Sequence, residues 1–329
     1  MTVDSHKAIA ARITEWPVSD TDGRAAADLQ ALRESSTSET FRALLSDEKI
    51  ASLLSGVLAW SPYLSGLMRR DTPRLESILT SAPEARFAEI TAKLHQDMSA
   101  VNDDAAAKRC LRAYKNDIAL MTALADIGGV WPVMTVTRVL SEAADAAVGA
   151  AVRYLFRMAT ARGQWAPLDT AEPEKGSGYF VLAMGKHGAF ELNYSSDIDL
   201  IVFFDRDRAR VTGDKDVQSF YVRLTRDLVS LLEDRTADGY VFRTDLRLRP
   251  DAGATQMALS TAAAHGYYET VGQNWERAAM IKARCCAGDI EAGETFLAEL
   301  APFIWRKYLD FAAIADVHAM KRQIHAHKG

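Results

Sequence analysis

Two aspartates, Asp197 and Asp199, stand two residues apart at the head of the apolar run Ile198 to Phe204. In an extended chain, a period of two sends both carboxylates to one face, where they can share a cation. Such oxygen ligands suit Mg²⁺, which takes one or two protein carboxylates and completes its shell with water and substrate phosphate oxygens. Phosphate chemistry is the natural reading. A third carboxylate, Asp245, lies in Val241-Phe242-Arg243-Thr244-Asp245-Leu246-Arg247-Leu248, where alternation puts Arg243, Asp245 and Arg247 opposite Phe242, Leu246 and Leu248. On a strand beside the first pair, Asp245 makes a three-carboxylate site able to hold two metal ions about 3.5–4 Å apart for in-line displacement. Arg247 and Arg249 then offer planar forks to phosphate oxygens.

Upstream, Gly185-Lys186-His187-Gly188 leads through Asn193, Ser195 and Ser196 to the aspartates, and backbone amides and hydroxyls in such a loop can cradle a phosphate. Neither the phosphate loop G-x-x-x-x-G-K-[ST] nor the dinucleotide fingerprint G-x-G-x-x-G is present there, which counts against those two nucleotide-binding classes. An isolated Asp-x-Asp is usually a strand-end cap or solvated turn; the glycine loop before the pair and Asp245 after it favour a site. His187 reads as a loop hydrogen-bonding residue, and Cys285-Cys286 as packing. Trp275-Glu276-Arg277 either lines a nucleotide pocket or pins a helix start. Lys282 and Arg284 read as a solvated helix face, and Lys321, Arg322, His325, His327 and Lys328 as a solvated end of a basic helix over 320–328.

The elements that must position these residues follow from periodicity. Ser38 to Arg162 is rich in Ala and Leu at helical spacing, broken at Ser61-Pro62, Thr72-Pro73, Ala82-Pro83 and Gly128-Gly129. The clearest helix starts near Pro132 and stops near Gly163. Pro167, Pro173 and an acidic stretch mark a connection. Beyond it, Gly178 to Met184 and Ile198 to Phe204 read as strands and Val241 to Leu248 as a third, with an amphipathic helix carrying Val217, Phe220, Tyr221, Leu224, Leu228 and Leu231 between the last two. The order strand, loop, strand, helix, strand is a small α/β catalytic module. From Ser260 the pattern turns helical again, with breaks at Gly272, Gly288 and Pro302. The expected division is a helical region over 1–165, a catalytic module over 166–258 and a second helical region over 259–329.

A chain of 329 residues with 48% apolar content can bury a substantial core. Its net charge of −5 provides no global basic field, so nucleic acid is not an expected partner. Three cysteines without metal-ligand spacing fit a reducing compartment. The first twelve residues lack a secretory apolar stretch and no later run of about 18 uncharged apolar residues occurs, so the expectation is a cytoplasmic protein without a membrane partner.

Four ordered motifs carry a resemblance. Ala183-Met184-Gly185-Lys186, Glu191 to Ile201, Asp245-Leu246-Arg247-Leu248-Arg249-Pro250 and Gly272-Gln273-Asn274-Trp275-Glu276-Arg277-Ala278 resemble those of the glutamine synthetase adenylyltransferase and adenylyl-removing enzymes. The resemblance covers Gly178 to Asp289 strongly and the flanks in layout. It implies an α+β fold, with a small mixed-sheet, DNA polymerase beta-like nucleotidyltransferase module between largely helical regions. It implies that Asp197, Asp199 and Asp245 hold Mg²⁺, and that Gly185 and Ser196 approach phosphate, in the same loop as Lys186 and Ser195. With a helical region before a single module, the chain resembles the N-terminal, adenylyl-removing half of that family. The implied reaction is phosphorolysis of AMP from a glutamine synthetase tyrosine, releasing ADP. Adenylylated glutamine synthetase, phosphate, ADP or ATP, and a PII-type signal protein are the implied partners. His187 stands where family members often have Leu or Met, and Ala189-Phe190 replaces a small, glycine-containing pair. Both departures touch loop conformation and leave the carboxylates intact. Transfer of AMP from ATP onto glutamine synthetase is the alternative within the same chemistry. A noncatalytic helical fragment that binds glutamine synthetase or a PII-type protein is the alternative outside it.

Overall fold

A computed structural model describes residues 6–19 and 23–305, together with residues 318 and 322. Lys321, His325, His327 and Lys328, and with them the basic helix expected over 320–328, lie outside the described residues. The chain forms two compact units, one of residues 1–97 with 110–143 and the other of residues 98–109 with 144–329.

The first unit is helical: α1 (Ile9–Arg12), α2 (Arg24–Ser35), α3 (Glu39–Leu44), α4 (Glu48–Trp60), α5 (Pro62–Arg70), α6 (Thr72–Thr80) and most of α7 (Pro83–Ala100), with parts of α8 (Asp104–Ile127) and α9 (Val133–Ala161). Local chemistry sets the helix starts. Ser38, Asp47, Ser61 and Asp71 each accept a backbone N–H of the first turn of α3, α4, α5 and α6, and Pro62 and Pro73 sit in first turns, where the missing N–H costs nothing. Leu53, Leu54, Leu75, Ile78, Leu79, Leu111, Leu120 and Leu124 are all buried.

The second unit is built on a sheet of β1 (Tyr179–Ala183), β2 (Ile198–Phe204), β3 (Thr244–Asp245), β4 (Ala258–Ser260) and β5 (Arg284–Gly288). Its order is β3-β2-β1-β5, with β4 also on β2. β1 lies antiparallel to β2, from Tyr179 opposite Phe204 to Ala183 opposite Leu200, and antiparallel to β5 with a bulge between Val181 and Leu182. β3 and β4 run parallel to β2. The sheet is therefore mixed, and with its helices the unit has the expected α+β character.

The strands β1 and β2 read as continuous apolar runs because both faces are covered. On one face Phe180, Leu182, Met184, Ile201 and Phe203 pack with Ala264 and Tyr268 of α12 (Thr261–Thr270), Met280 of α13 (Asn274–Met280), Ala292 and Phe296 of α14 (Ile290–Glu299) and Ile304 of α15 (Ala301–Ile304). On the other, Tyr179 and Phe204 meet an aromatic cluster of Phe156 from α9, Trp165, and Phe220 and Tyr221 from α11 (Val217–Glu233). The one-turn α10 (Gly185–Gly188) follows β1.

Two expectations are corrected. The third strand shrinks from Val241–Leu248 to Thr244–Asp245, because Phe242 turns into the interior and Arg249 gathers the following backbone into turns. The stretch after Ser260 is not helical throughout: Arg284–Gly288 enters the sheet as β5, so the sheet reaches past residue 258.

Candidate active site

Asp199 is the second residue of β2, and the parallel register sets it opposite Asp245 of β3. Neighbouring strands lie about 4.8 Å apart, so the two carboxyls are adjacent. β3 is held in place from α11: Glu233 Oε1 accepts the Thr244 backbone N–H and its hydroxyl. Asp197 lies just before β2, half exposed, with Oδ1 accepting from Arg243 Nε at 2.5 Å. Arg243 also donates to the Ser195 carbonyl at 2.6 Å and to Tyr240 Oη at 3.0 Å. Asp245 accepts from the Arg247 backbone N–H at 2.8 Å and from its guanidinium at 2.5–3.0 Å.

These surroundings push the acids in opposite directions. Hydrogen bonds from Arg247 hold Asp245 below the usual carboxylate range. Burial, followed by the charges of Asp245 and Asp197, raises Asp199 from 3.8 to about 6. A carboxyl that resists ionisation beside two others is a site that gains by taking up a cation.

The Gly185 turn reaches the same place. Gly185 has φ +54°, a conformation glycine adopts without strain, and a Cβ there would overlap Asp199 Oδ2, so any other residue would have to push that carboxylate aside. Met184 N–H donates to the Asp199 carbonyl at 2.9 Å, tying the turn to β2. Lys186 is exposed beside it. Ser195 is exposed, and Ser196 donates its hydroxyl to Asn193 Oδ1 at 2.6 Å, closing the tight turn before Asp197.

Of the residues singled out in the sequence, the structure thus brings Asp199, Asp245, Asp197, Gly185, Ser195 and Arg247 around one end of β2. Arg249 behaves differently. Its guanidinium donates to the carbonyls of Leu246, Ala252, Thr255 and Gln256, so it braces the loop after β3. Glu276 is buried and forms a capping box with Gln273 at the start of α13, while Trp275 is 41% exposed; the helix-start reading accounts for Glu276. Arg284 is not on a solvated helix face: it lies in β5 and pairs with Asp145 at 2.7 and 2.9 Å. Asp145 was missed, since an acidic residue in an Ala-rich helix carries no signal of a partner 139 residues away. Glu233, at the end of an amphipathic helix, was equally silent.

The donor set suits a hard divalent cation: three carboxylates, two of them strand neighbours, with a glycine backbone against one. Among the described residues, no three His, Cys, Asp or Glu side chains already converge on one cation position. Arg243 and Arg247 instead neutralise Asp197 and Asp245.

A mixed sheet between helical layers, with carboxylates at the end of β2 and on the adjoining β3, defines a nucleotidyltransferase module with helical flanks. The sequence profile of the family described as glutamate-ammonia ligase adenylyltransferase matches residues 51–299, and the chain belongs to that family. It is 54% identical to a bifunctional glutamine synthetase adenylyltransferase/adenylyl-removing enzyme of Bradyrhizobium sp. (strain BTAi1), over 90% of this chain and 30% of that protein. It is 51% identical to proteins of the same description from Bradyrhizobium sp. (strain ORS 278), over 99% and 33%, and from Xanthobacter autotrophicus, over 87% and 29%. The chain spans about a third of the length of the curated relatives it matches. Among the described residues, no helix is long and apolar enough to cross a membrane.

Proposed function

We propose that the chain removes AMP from adenylylated glutamine synthetase by Mg²⁺-dependent phosphorolysis, and does so in the cytoplasm. The observation that carries this reading is the register pairing of Asp199 with Asp245, with Asp197 alongside and Gly185 closed against Asp199. Asp197, Asp199 and Asp245 are the residues that would hold Mg²⁺, which supplies charge stabilisation for in-line displacement at phosphorus. An oxygen of inorganic phosphate attacks the α-phosphorus of the AMP group. The new P–O–P bond forms as the bond to the tyrosine oxygen breaks, the phenolate takes a proton, and ADP leaves with the restored tyrosine.

The chain's own residues divide the remaining work. Arg247, pivoting from Asp245, offers its fork to phosphate oxygens. Lys186, Ser195 and Ser196, on the loop between β1 and β2, are the further residues that would meet phosphate oxygens. The removing direction is favoured by the helical region ahead of the module, the layout of the adenylyl-removing half that the motifs resemble. A PII-type signal protein is the regulator that resemblance implies.

Two mixtures test the direction. In one, the purified chain meets adenylylated glutamine synthetase, phosphate and Mg²⁺; in the other, the unmodified enzyme, ATP and Mg²⁺. ADP formation in the first alone supports removal. AMP transfer in the second reverses the assignment, and an Asp199→Ala change that alters neither Mg²⁺ binding nor turnover supports a noncatalytic binding role.

A further inference from the structure

Behind the Gly185 turn lies a polar cluster that the transfer chemistry leaves unused. Asp145 of α9 accepts Arg284 Nη1 and Nη2 at 2.7 and 2.9 Å, and accepts His187 Nε2 at 2.8 Å. His187 is fully buried. Two further donors of Arg284 go to the turn itself: Nε to the Gly188 carbonyl and Nη2 to the His187 carbonyl, both at 3.2 Å. Its guanidinium lies 3.9 Å from the centre of the Phe190 ring, and Phe190 holds a φ of +58° that residues with a Cβ seldom adopt. At the other end of the same turn, Gly185 closes on Asp199.

We propose that Arg284, held by Asp145, is a positioning residue that fixes the Gly185–Gly188 turn and, through Gly185, the carboxylate of Asp199. The His187 carbonyl also accepts the Phe190 N–H at 3.2 Å, and Arg284 adds a side-chain donor to it and to the Gly188 carbonyl that follows, tying the end of the one-turn helix to β5. The bidentate grip on Asp145 and the stacking on Phe190 both use the planar fork, which a lysine cannot reproduce. The inference rests on the reading of Asp199 as a metal ligand.

Mn²⁺ titration followed by electron paramagnetic resonance on the full 329-residue chain tests it, with thermal unfolding run in parallel. The variants are Asp199→Asn, Arg284→Ala, Arg284→Lys and Asp145→Asn. Arg284→Ala and Arg284→Lys should bind Mn²⁺ about tenfold more weakly, in the range for residues that orient metal ligands, and Asp145→Asn should move in the same direction. Guanidinium ion added to Arg284→Ala should restore part of the affinity, which a general loss of folding would not allow. Where Arg284→Ala does not fold, Arg284→Lys decides. Wild-type affinity in folded Arg284→Lys overturns the clamp, as does a loss in Arg284→Ala that guanidinium leaves unchanged. Wild-type Mn²⁺ binding that Asp199→Asn does not reduce overturns the reading of the metal site instead, and the clamp's role with it.

Discussion

Replacing Asp199 by Asn should stabilise the chain in the absence of metal, and only at pH above the acid range. The substitution keeps the shape of the side chain and removes a charge the fold holds reluctantly. The carboxyl ionises near 6 in the folded chain against an ordinary 3.8, because burial and the neighbouring Asp245 and Asp197 oppose the charged form. A group whose folded pKa is raised binds its proton more tightly folded than unfolded. Its contribution is therefore most favourable below about 4, declines as pH rises to about 6, and is level above. The difference between the two values corresponds to roughly 3 kcal/mol at most, and partial exposure of the group to solvent reduces this to about 1 kcal/mol. Urea denaturation of both proteins at pH 4.5, 6 and 7.5 in chelator measures it, since the difference between them isolates this residue. The gain in Asp199→Asn should grow across that range to about 1 kcal/mol. Added Mg²⁺ should then stabilise wild type more than the variant. A variant that is less stable than wild type at pH 7.5, or a difference that does not change with pH, refutes the reasoning.

Gly185→Ala should fold with a loss of roughly 1–2 kcal/mol for a side chain in the left-handed region, and its Cβ should displace the Asp199 carboxylate, so Mn²⁺ binding should fall further than stability does; calorimetry of both quantities checks this. Arg249→Lys should lower stability by about 2 kcal/mol through lost bonds to loop carbonyls without a comparable change in phosphate KM, whereas a selective rise in that KM would return Arg249 to the phosphate site. Phe203→Ala should cost about 3–5 kcal/mol in urea denaturation, as truncation of a ring buried beside Phe180 and Phe296.

The parts of the fold that were legible in the sequence are those buried on both faces or amphipathic over many turns. β2 was readable to its ends because Ile198 to Phe204 is apolar except at Asp199, and the long helix from Val133 because its stripe persists over 29 residues. β4 and β5 were not readable. Ala258–Ser260 is too short to show a period, and Arg284-Cys285-Cys286-Ala287-Gly288 mixes charge with half-buried sulfur on a strand whose pairing with β1 is set by tertiary contact. Within the site, the three aspartates could be placed together because strand periodicity and one assumed neighbour sufficed. The partners that hold them could not. Arg243 and Arg247 were visible as charges on a strand face, yet alternation does not say which acid each meets: Arg243 reaches Asp197 on the chain leading into β2, and Arg247 folds back onto Asp245. Asp145 and Arg284 find each other only because α9 and β5 pass behind the same loop.

The most direct test of the account follows the phosphorus. Adenylylated glutamine synthetase, Mg²⁺, the chain and inorganic phosphate labelled with ³²P should yield ADP carrying the label in its β-phosphate, and Asp199→Asn or Asp245→Asn should abolish its formation. Release of unlabelled AMP, or labelled ADP formed equally well by those variants, contradicts it.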